Sequence, residues 1–110
     1  MDIKQLRNLV SISQHKSFSK AADSRAISQP AISLSISNLE KELDAQLLIR
    51  TRGKISLTKL GEAFIVHVRA ALRELEKAEE IIGAFKSRRN RSLKVGLTGL
   101  ISNYIAKEVL

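Results

Sequence analysis

The sequence predicts a mainly α-helical fold with one short β-hairpin, and three observations support this prediction. Apolar residues recur at spacings of three and four in the first 43 residues and again from residue 58 to about residue 86. Two short β-prone runs lie between these segments, within residues 46–57, and a glycine-containing turn joins them. A single proline, Pro30, stands where a third helix would begin. Proline is tolerated there because its missing N–H would have no helical partner.

The composition narrows the classes of function. The chain has 110 residues, of which 44% are hydrophobic, enough for one domain with a modest core. Its 19 lysines and arginines exceed its 11 aspartates and glutamates, so the formal net charge is +8. This excess favours an anionic partner such as nucleic acid or an acidic membrane surface. The absence of cysteine excludes disulfides, thiolate metal sites and cysteine nucleophiles. We find no signal peptide and no long apolar run, so we expect a soluble, cytoplasmic protein.

The first two predicted helices supply packing surfaces. The first has Asp2 near its positive end, and its packing face consists of Ile3, Leu6, Leu9, Val10 and Ser13. The second begins after Ser17 or Ser19, either of which can act as the N-cap. Its small side chains suit close helix contact. The predicted packing residues of this second helix are Phe18, Ala21, Ala22 and Ala26.

The third predicted helix, residues 28–43, has two different faces. Its core face is a narrow stripe formed by Ile32, Ile36, Leu39 and Leu43. The opposite face carries short side chains with almost no charge, and consists of Pro30, Ser33, Leu34, Ser37, Asn38 and Lys41. This outer face is either an ordinary serine-rich surface or one that enters a groove about 12 Å wide, where hydroxyl and amide groups bond to phosphates and base edges.

Residues 46–57 predict a two-stranded hairpin. The runs "QLLIR" and "KISLT" flank "TRGK", in which Gly53 allows a turn with positive φ. Three basic residues, Arg50, Arg52 and Lys54, lie near the tip. Their charges are either simply solvated or, beside the third helix, belong to a wing that reaches phosphates or the minor groove.

The longest periodic segment, residues 58–86, predicts a helix of roughly 40 Å with Thr58 as its N-cap. Because the preceding residues cannot bury so long an apolar stripe, we expect it to pair with a second copy of the chain. The predicted dimerisation residues are Phe64, Val68, Ala71, Leu75, Ala78, Ile82 and Phe85. His15 and His67 stand apart from other ligand-type residues, so no metal site is expected.

The last part of the sequence differs from the rest. Residues 87–92 are polar and basic and predict a hinge. Residues 93–110 predict one strand and the start of a helix, which is too little for a sheet domain of its own. We therefore expect this segment to begin a truncated α/β domain.

Together these motifs resemble the amino-terminal part of a LysR-type transcriptional regulator. After the first helix, "SFSKAA", "SQPAIS", "LEKEL", a wing ending in "LT", then "GE" and "LKVGL" occur in the order of that family. The resemblance implies a winged helix-turn-helix DNA-binding domain at residues 1–57 and a linker helix that dimerises at residues 58–86. It also implies that residues 93–110 begin an effector-binding domain.

The resemblance also implies which residues face DNA. The family positions that contact DNA are occupied here by Ser28, Gln29, Pro30 and Ser33, and those of the basic wing by Arg50 and Arg52. Leu34 stands where the family usually has a basic residue, and it offers only an apolar contact, for instance to a thymine methyl group. Asp44 replaces a frequent glycine. The full set of predicted DNA-binding residues is Ser28, Gln29, Pro30, Ser33, Leu34, Ser37, Asn38, Lys41, Arg50, Arg52 and Lys54.

The expected function is that of a sequence-specific transcriptional regulator that binds a partly palindromic operator as a homodimer. The resemblance implies that full-length relatives form tetramers, contact RNA polymerase and bind a small-molecule inducer in the effector-binding domain, so no cofactor is expected in these residues. The alternative is a winged-helix module for protein interaction or dimerisation with little specific DNA binding. An enzyme is not expected, because no catalytic motif is recognisable. Acidic residues on the long helix disfavour a membrane partner.

Overall fold

A computed structural model of the chain describes the backbone of residues 1–91 and the side chains of residues 1–89. Three helices come first, then a two-stranded antiparallel hairpin, then one long helix. The elements are α1 (Ile3–His15), α2 (Phe18–Arg25), α3 (Gln29–Leu43), β1 (Leu48–Thr51), β2 (Lys54–Leu57) and α4 (Lys59–Arg91). The prediction of a mainly α fold with three helices, a wing and a long helix is therefore confirmed. The strand and helix predicted within residues 93–110 lie outside the described residues.

Polar side chains fix where the first three helices begin. Asp2 and Gln5 form a reciprocal capping box at the start of α1, in which the Gln5 N–H donates to the Asp2 carboxylate at 2.8 Å. Ser17, not Ser19, is the N-cap of α2 and accepts a hydrogen bond from the Lys20 N–H at 3.2 Å. Ser28 caps α3, and Pro30 stands in the first turn as predicted.

Each of these helices ends at a residue in the left-handed region. Lys16 has φ 54°, Ala26 has φ 57° and Asp44 has φ 49°. Ala26 is exposed, so its predicted place on the packing face of α2 is wrong: it terminates the helix instead. A residue with a Cβ in this conformation costs about 1 to 2 kcal/mol relative to the right-handed region. Aspartate is among the residues that adopt it most readily, which explains how Asp44 can occupy this position.

The core is formed by α1, α2 and α3 together with the hairpin and the beginning of α4. The predicted stripe of α3 is confirmed, since Ile32, Ile36 and Leu39 are fully buried and Leu43 packs against the core. On α1, Leu9 and Ile12 are fully buried, whereas Ile3, predicted for the packing face, is exposed. The outer face of α3 is thereby turned away from the core.

A buried polar network connects these three helices. Asn8 of α1 is buried, and its side-chain amide donates to the Ser35 hydroxyl of α3 at 2.9 Å. The Asn8 carbonyl oxygen accepts from Nε of Arg25, the last residue of α2, at 2.8 Å. One amide on α1 therefore bonds to both α2 and α3.

The hairpin has the register Leu48↔Leu57 and Arg50↔Ile55. Arg52 (φ 49°) and Gly53 (φ 76°) form its two-residue turn, and positive φ at both positions is what a type I′ turn requires. The Glu40 carboxylate of α3 accepts hydrogen bonds from the backbone N–H groups of Leu47 at 2.7 Å and Leu48 at 3.3 Å. The hairpin is therefore attached directly to the end of α3.

Thr58 links the hairpin to α4. Its hydroxyl donates to the Gln46 carbonyl oxygen at 2.8 Å and accepts from the Gly61 N–H at 2.9 Å, as expected of an N-cap. The helix then continues to Arg91, so the predicted end near residue 86 and the predicted hinge at residues 87–92 are wrong for residues 87–91. That stretch is polar and basic but contains no glycine or proline, and lysine and arginine are good helix formers.

The chain divides into two units, Met1–Leu72 and Arg73–Leu110. The first unit includes the beginning of α4, where Ile65 belongs to the core and Val68 is only 4% exposed. Phe64 also packs against the core. Phe64 and Val68 therefore contribute to packing within one chain, and their role in dimerisation stays a prediction. Periodicity identifies an apolar stripe without identifying the surface that covers it.

Candidate nucleic-acid interface

The outer face of α3 is exposed and nearly uncharged. No charged residue occurs between Gln29 and Leu39, and Lys41 follows near the end of the helix. Most of the predicted residues on this face are exposed, namely Ser28, Gln29, Pro30, Leu34, Asn38 and Lys41, while Ser33 and Ser37 are half-buried. Short side chains let the helix approach a surface closely, because few long groups must be displaced.

Two serines, the N-cap of α3 and one within the helix, are already engaged within the chain. The Ser28 hydroxyl accepts from the Ala31 N–H at 3.2 Å, so its own O–H remains available to donate. Ser35 faces the Asn8 amide inside the domain. The hydroxyl groups left on the outer side of the first two turns are those of Ser28 and Ser33.

The three basic residues of the hairpin occupy different positions. Arg50 lies on the strand face that also carries Leu48 and Ile55, and its guanidinium carbon is 4.3 Å from the centre of the Phe18 ring. A cation over an aromatic face at this distance is stabilised by about 0.5 to 1 kcal/mol when exposed. Arg52 occupies the turn, and Lys54 follows it. The ring contact holds Arg50 against α2, whereas Arg52 and Lys54 extend from the tip.

A shallow groove lies where the hairpin meets the beginnings of α2 and α3. Its volume is about 270 Å³, and it is lined by Ser17, Phe18, Ser19, Gln29, Arg50, Gly53, Lys54 and Ile55. Of the predicted DNA-binding residues, Gln29, Arg50 and Lys54 therefore share one surface. Ser37 and Lys41 line a separate depression with Glu40, Asp44 and Gln46.

Lys16 is a basic residue of this surface that sequence reasoning missed. It follows α1 and lines one pocket with Arg52, Lys54 and Ser56 of the hairpin. The sequence offers no direct signal for this proximity, because residues 16 and 52 become neighbours only through the packing of α1 against β2. Ser17 and Ser19, at the start of α2, were considered only as caps, yet both line the groove beside Arg50.

The described part of the second unit presents apolar side chains on one side of α4. Leu75, Ala78 and Ile82 are exposed and Phe85 is half-buried, at successive spacings of three, four and three. Ile82 is 56% exposed. Ala71, the remaining predicted dimerisation residue, is exposed in the first unit.

Metal sites and membrane spans are two further classes of functional feature. Among the described residues, no three of the His, Cys, Asp or Glu type are placed to hold a metal ion, and His15 and His67 are both exposed. Within the same part of the chain, no helix combines the length and apolar character needed to cross a membrane.

Comparison with known proteins matches residues 3–62 to the family of bacterial regulatory helix-turn-helix proteins of the lysR type. The chain is 35% identical to YvbU of Bacillus subtilis, described as an uncharacterized HTH-type transcriptional regulator, over all of the chain and 38% of that protein. It is 33% identical to the DNA-binding transcriptional dual regulator OxyR of Escherichia coli, over all of the chain and 36% of OxyR. The chain thus spans little more than a third of these relatives.

Solved structures agree with this match. The BenM DNA-binding domain in complex with benA site 1 DNA superposes with a TM-score of 0.73 at 33% identity, over 79% of this chain and 98% of that one. The DNA complex of the CbnR DNA-binding domain gives a TM-score of 0.71 at 28% identity, over 76% and 97% of the two chains.

Proposed function

The chain belongs to the LysR family of bacterial regulatory helix-turn-helix proteins, and on this premise we propose that it is a transcriptional regulator that binds DNA sequence-specifically as one half of a homodimer. One observation carries the proposal. The exposed, nearly uncharged outer face of α3 lies beside a hairpin with three basic residues, and Gln29, Arg50 and Lys54 line one groove. A base-reading helix next to cations that neutralise phosphates is the arrangement that DNA recognition requires.

In this proposal α3 enters the major groove. Gln29 and Ser33, in its first turns, contact base edges, since glutamine can form a bidentate pair with adenine and serine bonds to several bases. Ser37, Asn38 and Lys41 lie further along the helix and contact the DNA backbone. Pro30 lacks an N–H and presents only an apolar surface to the groove.

The hairpin acts as the wing of this domain and supplies electrostatic affinity. Arg52 and Lys54 extend toward phosphates or the adjacent minor groove. Arg50, held over the Phe18 ring, has fewer orientations to lose when it binds a phosphate, which reduces the entropic cost of that contact. Lys16, in the same pocket as Arg52 and Lys54, adds a further cation.

The second unit supports the dimer. Exposed leucine, alanine and isoleucine side chains on one side of α4 would be covered by the same helix of a second copy. Two winged domains joined in this way would bind two half-sites of a partly palindromic operator. DNA-bound structures of LysR-family DNA-binding domains that match this chain, such as those of BenM and CbnR, support a DNA partner.

The proposed function also includes properties that residues 1–91 do not carry by themselves. Because the chain spans little more than a third of its relatives, we assign inducer binding, tetramer formation and contact with RNA polymerase to a longer protein. We assign no cofactor and no catalytic role to residues 1–91. The proposed site of action is the bacterial cytoplasm, where the DNA is.

The experiment is selection of bound sequences from a random duplex library at about 150 mM salt, a physiological ionic strength, with unrelated DNA as competitor. We expect recovery of an interrupted palindrome with two half-sites. Gln29→Ala should lose the preference at one base pair of each half-site. Gln14→Ala, which replaces another exposed glutamine, on α1, should retain it. Recovery of nothing beyond salt-sensitive background would favour the alternative, a protein-interaction module.

A further inference from the structure

Leu34 is a large apolar side chain that the domain leaves in water. It lies on the outer face of α3 and is 60% exposed, while Ile32 and Ile36, its neighbours on the core face, are fully buried. Its own face is otherwise made of proline, serine, asparagine and lysine. Leu34 therefore contributes little to the fold, and a free-energy gain remains available if another surface covers it.

Its position on the helix limits what that surface can be. Pro30 precedes Leu34 by one turn and is also exposed, so the two side chains form a small apolar strip along the outer face. Ser33 and Ser37, on either side, have short side chains and are half-buried. The Leu34 side chain is longer than those of Ser33 and Ser37. If α3 enters a groove, Leu34 would therefore contact the floor of the groove before these serines do.

The major groove offers such a side chain few apolar partners. Most groups on the base edges are hydrogen-bond donors or acceptors, and the C5-methyl group of thymine presents the largest apolar surface among them. Phosphate oxygens are charged, and a leucine placed against them would remove water from an anion without replacing its hydrogen bonds. A thymine methyl group therefore covers more of Leu34 than the C5–H of cytosine would, and it leaves no polar group unsatisfied.

Building on the function proposed above, we propose that Leu34 is a specificity-determining residue that reads the C5-methyl group of one pyrimidine in each half-site. The chemistry of the contact involves the methyl group and not the hydrogen-bonding edge of the base. The same contact would therefore form with 5-methylcytosine, which carries its methyl group at the same ring position. Discrimination between a methylated and an unmethylated pyrimidine is the signature of this contact.

The test replaces each thymine of the selected operator, one at a time, by deoxyuridine, which removes the methyl group and leaves base pairing unchanged. We expect one thymine in each half-site at which the wild-type chain loses affinity about fourfold per half-site, the effect of one buried methyl group. Leu34→Ala should bind the unmodified operator more weakly and show no loss at that thymine. A second experiment places cytosine or 5-methylcytosine at the position of that thymine and compares the two affinities. The wild-type chain should bind the methylated operator more tightly.

The matched control is Val66→Ala, because Val66 is an apolar residue with a similar exposure, 61%, located on α4. It should retain the full response to deoxyuridine. Thermal unfolding of both variants would verify that an exposed side chain has been removed without loss of the fold.

The possible outcomes separate two failures. A wild-type chain that selects an operator but responds to no deoxyuridine replacement, or a Leu34→Ala variant that responds as the wild type does, would overturn the role of Leu34 and leave sequence-specific binding intact. Absence of any selected operator would overturn the proposed function, and the role of Leu34 with it. If Leu34 instead contacts a protein, its replacement would weaken complex formation with that protein and leave operator affinity unchanged, which also overturns methyl reading.

Discussion

At the scale of single residues, Gly61 shows how one position can fix the packing of a long helix. A Cβ atom built at Gly61 would lie 2.3 Å from the Leu47 carbonyl oxygen, closer than any stable contact. That oxygen is also engaged by the Thr58 N–H at 2.9 Å, so it cannot move freely. The absence of a side chain at Gly61 is what lets α4 approach the segment before β1.

We therefore expect Gly61→Ala to destabilise the domain. Overpacking against backbone costs about 1 to 3 kcal/mol, and alanine in a helix interior recovers only about 1 kcal/mol of this. The net decrease in the free energy of unfolding should be up to about 2 kcal/mol, measured by urea denaturation. Gly83→Ala is the matched control, since nothing lies within 4 Å of its added Cβ. If both variants were equally stable, or Gly61→Ala more stable than the wild type, the close approach would not constrain the fold.

Sequence reasoning predicted residues whose role depends on local chemistry and missed those whose role depends on packing. Pro30 and Thr58 were identified because caps and first turns have their own residue preferences. Gly61 and Lys16 were not identified, because each contacts a segment that is distant in the sequence. Gly61 packs against Leu47, and Lys16 lies beside the hairpin. Ala26 was misassigned because its left-handed conformation is unusual for alanine.

At the scale of elements, one buried amide connects α3 to the other two helices of the core. Asn8 is buried, and its side-chain amide donates to Ser35 and accepts from Arg25, which are both half-buried. Buried polar groups without a partner are destabilising by about 1 to 3 kcal/mol each. The network therefore adds directional contacts among three helices that also share the apolar core.

We expect Asn8→Ala to lower the free energy of unfolding by about 2 kcal/mol, because Arg25 and Ser35 both lose a partner. Asn8→Asp, which can accept from both groups, should recover most of this loss. Asn38→Ala, an exposed asparagine on α3, should change stability by no more than about 0.5 kcal/mol. The same variants can be tested for the ratio of operator to competitor affinity. If Asn8→Ala leaves that ratio unchanged, the network stabilises the domain without orienting the reading helix.

The wing yields a separate electrostatic prediction. Arg52 and Lys54 extend from the hairpin tip, and each cation that neutralises a phosphate steepens the fall of log K with log salt by about 0.9. The double variant Arg52→Ala with Lys54→Ala should therefore make this slope shallower by about 1.8, with base preference in the major groove retained. Lys77→Ala, which removes a lysine paired with Glu74 on α4, serves as the control and should leave the slope unchanged. A slope unaffected by the double variant would mean that the wing does not reach DNA.

The elements themselves were largely predictable, and the exceptions have a common cause. Helices α1 to α3 and the hairpin have short-range signals: caps, a narrow apolar stripe and a two-residue turn. The end of α4 has no such signal, since residues 87–91 contain neither glycine nor proline, and the expected hinge is helical there. The spacing of apolar residues along a helix likewise does not say which surface covers them. Phe64 and Val68 belong to the apolar series of α4, yet they pack within the same chain.

At the scale of the whole molecule, affinity for a two-half-site operator depends on pairing two copies of the chain. Each copy in the proposed dimer contributes one reading helix, and joining them makes the second binding event effectively intramolecular. The residues proposed to join them lie on one side of α4 in the second unit. Among the side chains described there, that of Ile82 is the most exposed large apolar one, at 56%. A charge at this position would have to be desolvated if the interface formed.

We expect Ile82→Glu to convert the chain to a monomer in analytical ultracentrifugation and to reduce its affinity for a complete operator to nearly that for a single half-site. Affinity for an isolated half-site should remain that of the wild type, because the winged domain is unchanged. Val66→Glu is the matched control: it introduces the same charge on the same helix, at a position 61% exposed and outside the predicted apolar series, and it should remain dimeric. If both variants dimerise and bind the complete operator like the wild type, a different surface must join the two copies. If Ile82→Glu is monomeric but binds the complete operator with full affinity, the dimer would not be the DNA-binding form.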